Sequence, residues 1–156
     1  MMFVSRNKER LTFLFTLVMA ILTVAIGGCQ VRLISDYDAV IDRSATELQK
    51  KVETFLVKME GAAGTSAGEY ANNKAFYDET VVALSAMRVR AAAMPKNELT
   101  VESIDLIKEN IENLRKLHKR RGERGLSKTV IDPVRTAMNT QFTAILKLEL
   151  AKKRGG

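Results

Sequence analysis

The sequence predicts an all-α protein: an up-down-up-down four-helix bundle that follows a cleaved signal peptide. In four segments after residue 34, apolar residues recur at intervals of three and four, the spacing of one face of an α-helix. No stretch of useful length alternates apolar and polar residues as a half-buried strand does. The last two connections between helices are short, which favours antiparallel neighbours. A three-helix core with an extended first helix is the alternative architecture.

The first helix is expected to begin near Ser35, with that serine as its N-cap and an acidic residue three positions later. Gly61 and Gly64 are expected to end it. Residues 61–71 are mostly small and lack periodicity, so they form the one long loop. The apolar face of this helix comprises Tyr37, Val40, Ile41, Ala45, Leu48, Val52, Phe55, Leu56 and Met59.

The second helix is expected to begin near Asn72 or Asn73 and to stop at Pro95, because the residue before a proline is pushed away from helical geometry. Thr100 is expected to cap the third helix, which the glycines after residue 121 end. The second apolar face comprises Phe76, Tyr77, Val81, Leu84, Met87, Ala91 and Met94, and the third comprises Ile104, Ile107, Ile111, Leu114 and His118.

The fourth helix is expected to begin near Ser127, with Pro133 about a turn and a half inside it. Either the helix is kinked at this proline, or it begins at Asp132 and the proline takes its first position. Its apolar face comprises Ile131, Val134, Met138, Phe142, Ile145 and Leu148. The helical domain is therefore expected over residues 35–152, with a basic tail at 153–156.

An uncharged apolar run over residues 11–26 follows three basic residues, Arg6, Lys8 and Arg10. A basic start, a short apolar run and small residues at its end are typical of a secretory signal, here residues 1–28. The run is shorter than the roughly 20 residues that a membrane-spanning helix needs. The alternative is an uncleaved anchor in the inner membrane, with the rest of the chain facing the periplasm.

The four residues Ile26-Gly27-Gly28-Cys29 resemble the lipobox of bacterial lipoproteins. The resemblance implies cleavage between Gly28 and Cys29, a diacylglyceryl thioether on the cysteine and acylation of the new amino terminus. Residues 29–34 then form a lipidated tether. Gln30, where an aspartate would favour inner-membrane retention, implies the periplasmic face of the outer membrane. A buried free thiol or an intermolecular disulfide is the alternative for this single cysteine.

The segments "SDYDAVIDRSATELQKKVETFLVKMEG" and "FTAILKLELAKKR" resemble small helical lipoproteins of the bacterial envelope. The likeness covers most of the chain after the signal. It implies the fold and the location, and no activity or catalytic residue is carried over from it.

A dense basic cluster lies around the predicted turn between the third and fourth helices, and the chain as a whole has a formal net charge of +7. Such a cluster predicts an anionic partner: a phosphate-bearing lipid, lipopolysaccharide or an acidic protein. The alternative is a solvated helix C-terminus, where cations are favourable. Nucleic acid is not expected outside the cytoplasm, and aromatic residues do not interleave the charges. The cluster comprises Lys116, Lys119, Arg120, Arg121, Arg124 and Lys128.

Two further sets of residues are candidate ligand sites. His118, the only histidine, lies on an apolar helix face, and seven methionines make His–Met haem ligation conceivable, although a structural histidine is the simpler interpretation. Asp38 and Asp42 share a helix face, but aspartates near a helix start are favourable without any metal. We therefore expect no metal site, no cofactor and, because no nucleophile motif is present, no enzyme.

These observations predict a membrane-anchored, non-catalytic lipoprotein of the cell envelope that presents a helical bundle to another envelope protein. A bundle that binds a small ligand or lipid is the alternative, and a haem-binding bundle is a remote one. The ligand cavity of the alternative would be lined by Tyr37, Tyr70, Phe76, Met87 and Phe142.

Overall fold

The computed structural model describes residues 14–16, which are helical, and residues 34–155. The residues from Ile34 onward belong to one compact unit, and residues 14–16 belong to another. The larger unit contains four long helices, and no residue that the structure describes lies in a strand. The prediction of an all-α protein is therefore confirmed. The helices are α1, Ala39–Ala62; α2, Tyr70–Ala92; α3, Glu98–Arg121; and α4, Lys128–Gly155.

The four helices share one apolar core. Helix α1 packs on α2 and α4, and α3 packs on the same two helices. The predicted faces of α1 and α3 are buried almost as expected, whereas in α2 the buried positions include Thr80 and Asn73, and Phe76 is only partly buried. The largest fully buried apolar side chains are Tyr77, Phe142, Ile41, Leu56, Met59, Leu84, Ile104, Ile107, Ile111, Leu114, Leu126 and Ile131.

The helix starts differ from the sequence prediction. Helix α1 is capped by Asp38 and not by Ser35. The Asp38 carboxylate accepts hydrogen bonds from the backbone N–H groups of Val40 and Ile41. Helix α3 begins at Glu98 after Asn97, which makes no side-chain cap bond. Ser35 and Asn97 instead bond to each other in the interior, at 3.0 Å, so residues with capping chemistry serve a buried network.

Helix α2 begins at Tyr70, earlier than predicted, because the preceding loop is tightly organised. A short 3-10 turn at Ser66–Gly68 lies in the middle of this loop. The side-chain amide of Asn73 donates to the carbonyls of Ala67 and Glu69 at 2.7 and 2.8 Å, so this asparagine lies inside the helix and ties its start to the loop.

Helix α4 begins at Lys128 and contains Pro133 in its first two turns, so the predicted start near Ser127 is confirmed and the alternative start at Asp132 is wrong. The helix continues to Gly155, which makes most of the expected basic tail helical. Its buried face also departs from the pattern near the end. Leu148 is half-buried, whereas Glu149 and Lys152 are buried.

The two ends of the helical unit are chemically different, and we name them here. The proximal end contains residue 34, the start of α1, the turn between α2 and α3 and the last turns of α4. The distal end contains the loop between α1 and α2 and the loop between α3 and α4, whose short 3-10 turns pack on each other. Within the described residues, no helix combines the length and the apolar character that crossing a bilayer demands.

Candidate interaction sites at the two ends

The distal end is built around two glycines and the single histidine. Gly125 has a positive φ of 58°, and a Cβ atom there would lie 2.9 Å from the carbonyl oxygen of Gly68. The same carbonyl accepts a hydrogen bond from Nε2 of His118 at 2.7 Å. Because a carbonyl can only accept, Nε2 carries a proton. The two loops can therefore approach this closely only with glycine at position 125.

His118 is neutral in this arrangement. Its Nδ1 lies 2.8 Å from the hydroxyl of Tyr77, which donates to it. The histidine is fully buried, and this burial lowers its pKa, although the hydrogen bond to Gly68 acts in the opposite direction. Burial likewise raises the pKa of Tyr77, so its proton stays on the hydroxyl. The interpretation of His118 as a structural residue therefore accounts for both ring nitrogens.

Aromatic rings surround this histidine. The rings of Phe55 and Phe76 stack with their centroids 3.6 Å apart, and Tyr77 meets Phe55 edge-on. Tyr70 lies 5.8 Å from the His118 ring, and its hydroxyl accepts from Arg115. The sequence predicted Phe55, Tyr77 and His118 on the apolar faces of three different helices. Their meeting at one place depends on how those helices pack, which local spacing does not predict.

The six residues of the predicted basic cluster separate into two groups. Arg121 donates to the carbonyl of Gly125 at 2.6 Å, and Lys128 pairs with Asp132 and Glu60 at 2.8 and 3.4 Å. These two cations stabilise the fold. The other four are exposed and form no hydrogen bond or ion pair with any residue that the structure describes: Lys116, Lys119, Arg120 and Arg124.

The proximal end contains a buried polar network that sequence reasoning missed. The ammonium group of Lys152 donates to Glu149 at 2.5 Å, to Asn97 at 2.7 Å and to Thr100 at 3.2 Å. The Asn97 amide in turn donates to the carbonyl of Ala91 at 3.0 Å. All three hydrogens of the ammonium are therefore used. Charged residues at helical spacing near a chain end predict a solvated face, so their burial had no signal in the sequence.

Asp38 connects this network to the surface. Its backbone N–H donates to Glu149 at 3.0 Å, and its side chain accepts from Arg90 at 2.7 Å. Partial burial raises the pKa of Asp38, but the hydrogen bonds from Arg90 and from the N–H groups of Ile41 and Val40 outweigh it, so the pKa is lowered overall. The carboxylate thus serves as helix cap and ion-pair partner at once.

The aspartates considered as metal ligands have other partners. Asp38 is engaged as just described, and Asp42 accepts from the hydroxyl of Tyr37 at 2.9 Å. In residues 34–155 and 14–16, no group of three or more histidine, cysteine, aspartate or glutamate side chains is arranged to hold a metal ion.

The five residues expected to line a ligand cavity do not meet. Tyr37 lies at the proximal end, Tyr70 and Phe76 at the distal end, and Phe142 in the core. The structure instead has open surface grooves. One, of about 550 Å³, lies between the end of α2 and the first half of α3, and has Met94, Val101 and Leu106 in its walls. Another, of about 520 Å³, lies between α1 and α2 and includes Met87.

Gly28 and Cys29, the predicted cleavage and lipidation site, lie outside the described residues. Comparison of the chain with protein-family models, curated proteins and solved structures gave no match.

Proposed function

We propose that this chain is a non-catalytic lipoprotein of the bacterial cell envelope, anchored through lipid on Cys29, that binds another envelope protein through its distal end. The observation that carries the proposal is the set of four exposed cations at that end, since none of them is used within the described fold. The single cysteine in a lipobox-like sequence supports the anchor. Two or three acyl chains would hold the protein firmly, whereas one binds only marginally.

The architecture we propose is an up-down-up-down four-helix bundle. Each helix packs on two neighbours, short loops join successive helices, and the residues before α1 contact the turn between α2 and α3. These contacts are those expected when consecutive helices run antiparallel around one core. A bundle of this kind is a rigid spacer of about 36 Å, because α1 has 24 residues and each residue rises about 1.5 Å.

The location we propose is the periplasmic face of the outer membrane, with the inner membrane facing the periplasm as the alternative. Gln30 supports the former. Mass spectrometry of the membrane-extracted protein should find Cys29 as the acylated first residue. The Cys29→Ser variant should lose this modification, and density-gradient fractionation of wild-type membranes separates the two locations. A wild-type protein with an unmodified Cys29 would overturn the anchor.

Carbodiimide crosslinking tests the partner, because it joins lysine amines directly to carboxylates. We expect Lys116 and Lys119 of the native lipidated protein to crosslink to acidic residues of one envelope protein. The triple variant Lys119→Glu/Arg120→Glu/Arg124→Glu should no longer crosslink to that protein.

The matched control is Arg43→Glu/Lys50→Glu/Lys147→Glu, which reverses three exposed cations outside the distal end. This control variant should still crosslink to the partner protein. Capture of the same proteins by both triple variants would contradict the proposed role of the distal end.

One observation favours the alternative of a small-ligand or lipid-binding bundle, namely the α2–α3 groove of about 550 Å³. The haem alternative gains no such support, since His118 would have to give up hydrogen bonds at both ring nitrogens to ligate iron.

A further inference from the structure

The proximal end exposes an apolar side chain on every helix. Seven large apolar residues of the unit that begins at Ile34 are prominently exposed, and four of them lie at this one end. They are Val40 at the start of α1, Val89 near the end of α2, Leu99 at the start of α3 and Leu150 near the end of α4, with 48%, 68%, 58% and 47% of their surfaces exposed. Scattered single apolar residues on a surface are ordinary, whereas apolar residues concentrated at one place mark a candidate interaction surface. We call these four residues, one on each helix, the apolar ring.

Polar contacts of neighbouring residues place these four positions at one level of the helical unit. Asp38, two residues before Val40, contacts both Glu149 and Arg90, which are the sequence neighbours of Leu150 and Val89. Asn97, two residues before Leu99, contacts Lys152. The four positions therefore lie within about one helical turn of the same end.

The surroundings of this ring match those of residues that lie at a membrane surface. Lys96, Lys153 and Arg154 are exposed there, beside the exposed carboxylates of Asp36 and Glu98, so the end carries little net charge. The ammonium of Lys153 lies 5.3 Å from the centre of the Tyr37 ring. Long basic side chains and tyrosines suit the boundary between headgroups and acyl chains, because each has an apolar stem and a polar tip.

Chain length links this end to the anchor. Ile34 is five residues after Cys29, and five residues span at most about 18 Å when fully extended. The distal end lies about 36 Å from the proximal end, judged from the 24 residues of α1. An acyl group on Cys29 thus holds the proximal end close to the bilayer, whereas the tether places no such restraint on the distal end.

We propose that the proximal end docks on the bilayer surface, with Val40, Val89, Leu99 and Leu150 inserted among the lipid headgroups, so that the distal cations project away from the membrane. This inference rests on the proposed lipid anchor and adds an orientation to it. Because the ring is apolar and nearly neutral overall, docking should depend little on anionic lipid. Docking through the distal end, with its four exposed and unpaired cations, would instead depend strongly on anionic lipid.

Fluorescence quenching in membranes tests the orientation. The full-length lipidated protein is reconstituted in phosphatidylethanolamine–phosphatidylglycerol vesicles that contain a nitroxide-labelled lipid. A small thiol-reactive fluorophore is attached in separate variants at Leu99→Cys, Leu150→Cys and Val57→Cys. Val57 is the matched control, since 56% of it is exposed but it lies towards the distal end of α1.

We expect quenching at positions 99 and 150 to exceed that at position 57 by about two-fold or more, since inserted side chains reach about 5–10 Å into the boundary region. Removing phosphatidylglycerol should leave this pattern unchanged. Equal quenching at all three positions, as for helices lying flat, or stronger quenching at position 57 would overturn the proposal. If Leu99→Cys or Leu150→Cys lacks the helical circular dichroism of the wild type, Val89→Cys replaces that variant.

The same samples separate failure of the docking from failure of the anchor. The wild-type protein, with Cys29 as its only thiol, should not label if that thiol carries lipid. Labelling of the wild type contradicts the anchor. An unlabelled wild type with unquenched positions 99 and 150 leaves the anchor standing and rejects the docking.

Discussion

Glu149 and Lys152 form an ion pair that solvent does not reach, with 0% and 2% of their side-chain surfaces exposed. The carboxylate also accepts the backbone N–H of Asp38, and the ammonium also bonds Asn97 and Thr100. The pair therefore joins the start of α1, the turn between α2 and α3 and the end of α4. It holds together the end of the unit from which the chain leads back toward Cys29.

We expect Lys152→Met to lower the free energy of unfolding by about 3–5 kcal/mol, because it leaves the Glu149 carboxylate buried without a counter-charge. Urea denaturation at pH 7, followed by circular dichroism, measures this loss. The neighbouring exposed Lys153→Met should change the free energy of unfolding by no more than about 0.5 kcal/mol.

The double variant Lys152→Met/Glu149→Gln should be more stable than Lys152→Met alone. The neutral amide oxygen can still accept from Asp38 N–H, and no charge remains buried. If the change in the free energy of unfolding of the double variant equals the sum of the changes for Lys152→Met and Glu149→Gln, the two groups are not coupled.

Stability should fall as the pH is lowered from 7.5 to 5.5. Burial depresses the pKa of His118 in the folded protein, so the unfolded chain, whose histidine titrates near the ordinary value of about 6.5, takes up the proton first. The stabilisation is complete above that value and is lost as the pH falls toward the folded pKa. One proton gives a slope of up to about 1.4 kcal/mol per pH unit.

The matched variant is His118→Gln, whose amide does not titrate. Its free energy of unfolding, measured by urea denaturation at each pH, should be lower than that of the wild type at pH 7.5 and nearly flat across the same window. A parallel decline in both proteins would assign the pH dependence to other groups.

Gly68→Ala should destabilise the protein by about 1–3 kcal/mol. The added Cβ would overlap the carbonyl oxygen of Ala62, which is backbone and cannot move away without shifting the end of α1. Gly61→Ala is the control, since nothing lies within 4 Å of its added Cβ and the position is inside the helix. It should stabilise by about 0.5–1 kcal/mol. Thermal unfolding distinguishes the two, and equal effects would contradict the contact.

Asp38→Ala should lower the free energy of unfolding by about 0.5–2 kcal/mol, mainly through loss of the helix cap. Asp38→Asn keeps a capping oxygen, so its free energy of unfolding should fall by less. Since the pKa of Asp38 is lowered in the folded protein, its stabilisation is present above the unfolded value of about 3.9 and disappears as the pH falls below it. Urea titrations at pH 7 and pH 3 should therefore show the wild type and Asp38→Asn converging at the lower pH.

Several elements could be predicted from the sequence alone because their signals are local. The spacing of Ile104, Ile107, Ile111 and Leu114 predicted α3 and its buried face, and the structure buries all four. The expected end of α3 was also correct, since Gly122 and Gly125 take the positive φ values of 53° and 58° that stop a helix there. The starts near Ser35, at Thr100 and near Asn72 or Asn73 were wrong. Helix α1 takes its cap from Asp38, three residues after Ser35, and local pattern does not choose between two residues with capping chemistry. Helices α2 and α3 begin without any side-chain cap bond, so a search for capping residues could not find their starts.

The sequence by itself determined four helices, the residues of their apolar faces and a lipobox-like motif at Cys29, all of which depend on residues a few positions apart. Only the tertiary structure decided that Glu149 and Lys152 are buried, that His118 is neutral between Tyr77 and Gly68, and that four of the six clustered cations form no hydrogen bond or ion pair within the described residues. Most of the contacts behind these outcomes join residues 41 to 111 positions apart in the chain. A polar side chain has the same local pattern whether its partner is water or another helix, so its role is settled by packing.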